Sequence, residues 1–195
     1  YEQFLASPAQ AFFVVGTSGQ GKSSWTEWVC GNPPPSLRPE RIRGEDIISA
    51  DRHIIDTLTR LLSSRPLGDL TEVDLRQALF AWLDNASRVF LVDGLDRSTS
   101  RTLHEWLNET FALLAKGSSR LIATSRQAAW GLIEPYLKLD PERIFVPEGA
   151  SKGCVPALDL GPLGEGEIDE FYRAYGLTPP SPAGRPFRTP GLIAL

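Results

Sequence analysis

Gly16-Thr17-Ser18-Gly19-Gln20-Gly21-Lys22-Ser23 reads G-x-x-x-x-G-K-[ST]. It sits between an apolar run at residues 11–15 and helix-forming residues 23–29. A strand, a glycine-rich turn and a helix in that order form a cradle for phosphate. The glycines let the loop wrap an anion with its N–H groups turned inward, and the helix N-terminus adds positive potential. Lys22 is placed to reach the β- and γ-phosphates of a nucleotide, and Ser23 to hold Mg²⁺ through its hydroxyl. The nucleotide-contacting set read here is Gly16, Thr17, Ser18, Gly19, Gln20, Gly21, Lys22, Ser23 and Ser24. The bland alternative is a glycine-rich surface turn.

Outward from the loop, strands and helices alternate. A short lead-in, read as helical, covers residues 1–5. Asn32 and the prolines at 33–35 break the loop helix after Gly31. A second strand is expected within 41–48. A helix over 50–62 carries Ile54, Ile55, Leu58, Leu61 and Leu62 at helical spacing. After a loop at 65–69, Thr71 caps a helix running to Asn85, with Val73, Leu75, Leu79 and Leu83 on its apolar face. Residues 89–92 are continuously apolar, as a central strand requires. A helix over 98–116, closed by Gly117, leads to a strand at 120–123 and a short helix at 127–132. The last strand is expected at 143–146. This is the α/β pattern of a P-loop NTPase with a doubly wound parallel sheet of about five strands. Residues 1–160 read as the nucleotide-binding core and 161–195 as the start of a helical lid.

A P-loop enzyme needs a carboxylate at a strand end to order the Mg²⁺ shell. Asp93 follows Val89-Phe90-Leu91-Val92 directly and fills that role; a turn residue is its alternative. The metal set is therefore Ser23 and Asp93. Asp96, three residues on, reads either as a second acid near the metal shell and attacking water or as a solvated cap. Residues 120–126 form another apolar strand with a polar end. Thr124 is a candidate donor to the attacking water or γ-phosphate, and Arg126 a candidate partner for a terminal phosphate or a surface salt bridge. Lys22, Asp93, Asp96 and Arg126 make up the catalytic set.

The chain has 195 residues, 42% hydrophobic and 23% charged, which suits one sizeable core. A net charge of −4 gives no global basic field, so nucleic acid is not indicated as a partner. Cys30 and Cys154 have no metal-ligand spacing, and a buried reduced thiol is expected for each. There is no apolar run of membrane-spanning length and no visible signal peptide, which reads as cytoplasmic. Beginning at Tyr1 and stopping within an apolar segment, the chain reads as a fragment of a longer protein. Trp25 and Trp28 read as core or interface aromatics. His53 and His104 receive no role.

The three elements VVGTSGQGKSSW, VFLVDGLDR and RLIATSR, in this order, resemble the STAND branch of signalling P-loop ATPases, and its NACHT family most. Leu158-Asp159-Leu160-Gly161-Pro162-Leu163 and the stretch 165–175 resemble that family's lead into its helical lid. Thr189-Pro190-Gly191-Leu192-Ile193-Ala194-Leu195 is similar to its lid helix, whose proline lies against the nucleotide, so the resemblance implies Pro190 as a nucleotide contact. It also implies an ATP/ADP switch with Mg²⁺ that self-associates on activation. The trigger, a ligand or protein, would be sensed by domains absent here, and an effector domain, also absent, would act in innate immunity or antiphage defence. Arg97 stands where the family has an acid, which points to slow hydrolysis.

Two other readings remain open. One is an AAA+-type remodeller or loader, although that class usually has adjacent Asp-Glu where this chain has Asp93-Gly94. The other is a nucleotide-stabilised interaction module that never turns over. A small-molecule kinase lacks its arginine-rich lid here, and a GTPase lacks its Asn-Lys-x-Asp.

Overall fold

Residues 11–16 alternate their side chains between two apolar cores, which explains why the first strand carries no polar residue. The computed structural model describes residues 1–33, 39–65, 70–150 and 153–161, and positions 166, 169 and 173. The chain runs through α1 (Glu2–Ala6), β1 (Ala11–Gly16), α2 (Lys22–Gly31), β2 (Pro39–Arg43), α3 (Ile54–Ser63), α4 (Glu72–Asp84) and β3 (Val89–Asp93). It continues with α5 (Leu103–Leu114), β4 (Arg120–Arg126), α6 (Gln127–Ile133) and β5 (Leu158–Leu160). The five strands form one parallel sheet in the order β2-β3-β4-β1-β5. This is the expected α/β fold.

Phe12 and Val14 point to one side of the sheet, where they meet Phe4 of α1 and Val29 of α2. Phe13 and Val15 point to the other, against the helices α3 to α6. The Phe13 and Trp130 rings lie 4.7 Å apart there. Helices on both faces bury both sides of every inner strand, and β3 is buried along its whole length, down to its terminal Asp93.

Several elements depart from the expected bounds for local reasons. Asp56 accepts from the Arg52 and His53 N–H groups, so α3 begins at Ile54 rather than at 50. The Ser98 and Ser100 hydroxyls accept from the N–H groups of Ser100 and Thr102, which keeps 98–102 out of α5. Thr71 caps α4 as expected, accepting from the Asp74 N–H. Val73, however, does not join the apolar face; it is 64% exposed.

The last strand is corrected from 143–146 to Leu158–Leu160. Ile144 makes only an isolated bridge to Ala11, with Phe145 N–H donating to the Ala11 carbonyl, and Pro147 soon follows. The outer edge of β1 is therefore shared. Ile144 covers its start, and β5 pairs with Val14, Val15 and Gly16 at its end. Cys154 is exposed, not buried, and Cys30 is half-buried; both are free thiols. Among the described residues no helix is long and apolar enough to cross a membrane. The lid expected over 161–195 lies outside the described residues, except for 161, 166, 169 and 173, and so does Pro190.

Candidate functional site

The loop between β1 and α2 closes on itself. Gly19 and Gly21 take positive φ, 82° and 79°, a conformation that side-chain-bearing residues adopt at a cost. The Lys22 ammonium folds back to donate to the Gly16 carbonyl at 2.8 Å and the Thr17 carbonyl at 2.7 Å. Thr17 N–H donates to the Gln20 side-chain oxygen. Burial holds Lys22 below its usual pKa, and Arg126 and Arg97 push the same way against Asp96 and Asp93. These charges thus converge on one ammonium at the N-terminus of a ten-residue helix.

Asp93 lies at the end of β3, which does not adjoin β1; β4 runs between them. The end of β3 is nonetheless joined to the loop helix α2 and to β4 by side chains. Ser23 Oγ donates to Asp93 Oδ1 at 3.3 Å, as does Thr124 Oγ1. Gly94 N–H donates to Thr124 Oγ1 at 2.9 Å. Thr124 is fully buried, and its hydroxyl bridges the Gly94 N–H and the Asp93 carboxylate.

The turn after Asp93 is fixed by backbone contact. Gly94 has φ 75°, and Gly44, which follows β2, packs so closely on the Gly94 carbonyl that a Cβ at 44 would overlap it.

By sequence, Arg41 stands only at the start of a strand segment and has no part in the site. In the structure its Nη2 donates to Asp93 Oδ2 at 2.7 Å. That hydrogen bond raises the Arg41 pKa against the lowering effect of burial. The available signal was weak: an arginine flanking buried Ile42 in an edge strand, with the partner known only once β2 pairs with β3.

Asp96 and Arg126 find each other. Asp96 Oδ1 accepts from Arg126 N–H at 2.9 Å and Oδ2 from Arg126 Nε at 2.6 Å. The Asp96 side chain is 7% exposed and that of Arg126 58%. Both oxygens of the acid expected near the metal shell are therefore engaged by the arginine expected at the γ-phosphate. Ser18 and Ser24 lie in the loop and the first turn of α2. Trp25 meets Phe12 edge-on, while Trp28 is exposed. A separate cavity of about 360 Å³ is lined by Asp51, Arg52, Glu105, Trp106 and Lys138 among others, and by no residue of the loop.

No protein-family model matches the chain, and no curated protein matches it. Among solved structures it is similar to that of the Aeropyrum pernix Orc1 protein in complex with DNA, at 12% identity and a TM-score of 0.54. The match covers 89% of this chain and 45% of the other, so this chain spans less than half of that protein's length. A second match is the cytoplasmic domain of the Thermomonospora curvata type VII secretion ATPase EccC. There the identity is 19% and the TM-score 0.34, over 64% of this chain and 17% of that one. The first likeness shows a shared fold: the chain is a P-loop NTPase fold.

Proposed function

We propose that the chain is the nucleotide-binding core of an ATPase that takes ATP and ADP with Mg²⁺. The observation that carries this reading is the convergence of Lys22, Ser23 and Asp93 from two sequence-distant elements at the mouth of the loop. The Ser23 hydroxyl lies 3.3 Å from the Asp93 carboxylate, and the two are hard oxygen donors of the kind that suits Mg²⁺. Mg²⁺, when bound, offsets phosphate charge and orients the phosphates.

The chain's residues do the rest. The loop N–H groups and the α2 N-terminus receive the phosphates. Lys22 exchanges two neutral carbonyls for anionic oxygens, a stronger pairing. Thr124 and Ser23 keep Asp93 aimed at the metal side. Arg126 moves from Asp96 to a γ-phosphate and frees Asp96 to position water. ADP lacks that phosphate, so ATP gains the differential affinity an oligomerisation switch of the NACHT type requires.

A second reading, an AAA+-type remodeller or loader, uses the same site. It is supported by the likeness to the Orc1 structure over 89% of the chain. A binding module without turnover is the outcome if ATP binds and is never hydrolysed.

Calorimetric titration with ADP and Mg²⁺ tests the shared core of these readings. Lys22→Ala is expected to weaken binding by at least about a hundredfold, the loss of charge-assisted bonds to phosphate. Equal affinity in wild type and variant would overturn it.

A further inference from the structure

The Asp93 side chain is only 2% exposed. A carboxylate that deep requires a counter-charge. Oδ1 is taken by the Ser23 and Thr124 hydroxyls, which leaves Oδ2 for a cation, and Arg41 Nη2 sits on it at 2.7 Å. The other guanidinium nitrogen, Nη1, is 3.6 Å from Oε1 of Glu27 on α2. Glu27 is 68% exposed and Arg41 29%, so the arginine has a second acid and an outlet to solvent within reach.

We propose that Arg41 is a displaceable counter-cation at the metal position: it neutralises Asp93 until Mg²⁺ arrives with nucleotide, and then passes to Glu27. The proposal rests on the reading of Asp93 as the metal-side carboxylate. A guanidinium held on Oδ2 at 2.7 Å and a divalent ion at the same carboxylate repel each other in a desolvated site, so the two compete for Asp93. Mg²⁺ entry therefore includes the work of moving Arg41. Glu27 lowers that work by receiving the charge, one turn beyond Ser23 on the same helix. The exchange leaves the buried carboxylate paired at every stage, so the fold tolerates an empty metal position and still responds to the ion.

The test titrates Mg²⁺ against the full chain at saturating ADP, reading the thermal midpoint and ADP binding by calorimetry. Arg41→Gln removes the competitor and is expected to lower the half-maximal Mg²⁺ concentration by about tenfold. Its thermal midpoint without Mg²⁺ should fall below wild type, and the gain on adding Mg²⁺ should be larger. Glu27→Gln, an exposed substitution, is expected to raise the half-maximal Mg²⁺ concentration about two- to threefold. An Mg²⁺ dependence unchanged or weakened in Arg41→Gln overturns the proposal. If Arg41→Gln does not fold, Arg41→Lys keeps the charge but loses the fork and must lower the half-maximal Mg²⁺ concentration by a smaller factor; no change there overturns it equally. Asp93→Asn separates the two levels. If it retains wild-type Mg²⁺ dependence, the metal role of Asp93 fails, and this proposal with it. If it loses that dependence while the Arg41 variants match wild type, only the counter-cation fails.

Discussion

Lys22 is held by two main-chain carbonyls and sits below its usual pKa of 10.5, chiefly because of burial. The sign of the consequence is fixed. With its folded-state pKa lowered, the fold is favoured slightly as Lys22 loses its proton, whereas phosphate prefers the charged ammonium. ADP affinity should therefore hold near neutrality and fall on the alkaline side earlier than an ordinary lysine would titrate. Calorimetry across that range checks it, and Lys22→Ala should show no such alkaline fall. Lys22, Ser23 and Asp93 were legible as candidates because local sequence positions them: a glycine loop, a helix start, a strand end. Arg41 was not, because its importance depends on a partner fifty-two positions away in the chain. The Asp96–Arg126 pair was half legible. Each residue was singled out, but the bond between them forms only once the turn after β3 packs beside β4.

Elements show the same division. β1, β3 and β4 were readable as uninterrupted apolar runs, and α4 from its Thr71 cap. β5 was not, because three residues with half-exposed and exposed side chains carry no periodic signal, and Ile144 beside Phe145 offered a more apolar decoy. Val73 belongs to the helical stripe by spacing, yet it is exposed, and among the described residues no element covers it. The turn after β3 owes its shape to Gly44 as much as to Gly94. Gly44→Ala would drive a Cβ into the Gly94 carbonyl, a rigid backbone atom. The expected cost is about 1–3 kcal/mol of stability, seen as a lower urea midpoint. Because Asp93 moves with Gly94, ADP affinity should fall in parallel. A variant that loses stability but binds ADP normally would show that the turn does not set the carboxylate.

At the scale of the whole molecule, the switch reading makes Arg126 the detector. Arg126→Ala is expected to leave ADP binding within about twofold, since ADP has no γ-phosphate for it to meet. In the complete protein it should abolish the difference in particle size between ATP and ADP. Size-exclusion chromatography with light scattering reads this. Identical sizes with ATP and ADP in the unmodified protein would favour the ordinary ATPase over the switch.

The placement of β1 between β4 and β5 also bears on how the chain is made. Ala11 pairs with Leu121, and Gly16 with Arg126 on one edge and Leu160 on the other. β2 and β3 are partners of each other and meet β1 only through β4. Emerging from a ribosome, the phosphate loop therefore waits as an unpaired strand end until more than a hundred further residues have followed it. Pairings of such long sequence separation carry a large closure entropy and form late. The phosphate loop, which precedes β4 and β5 in the chain, is thus among the last of these elements to become a site, and nucleotide present during synthesis can stabilise only a fold in which they have paired.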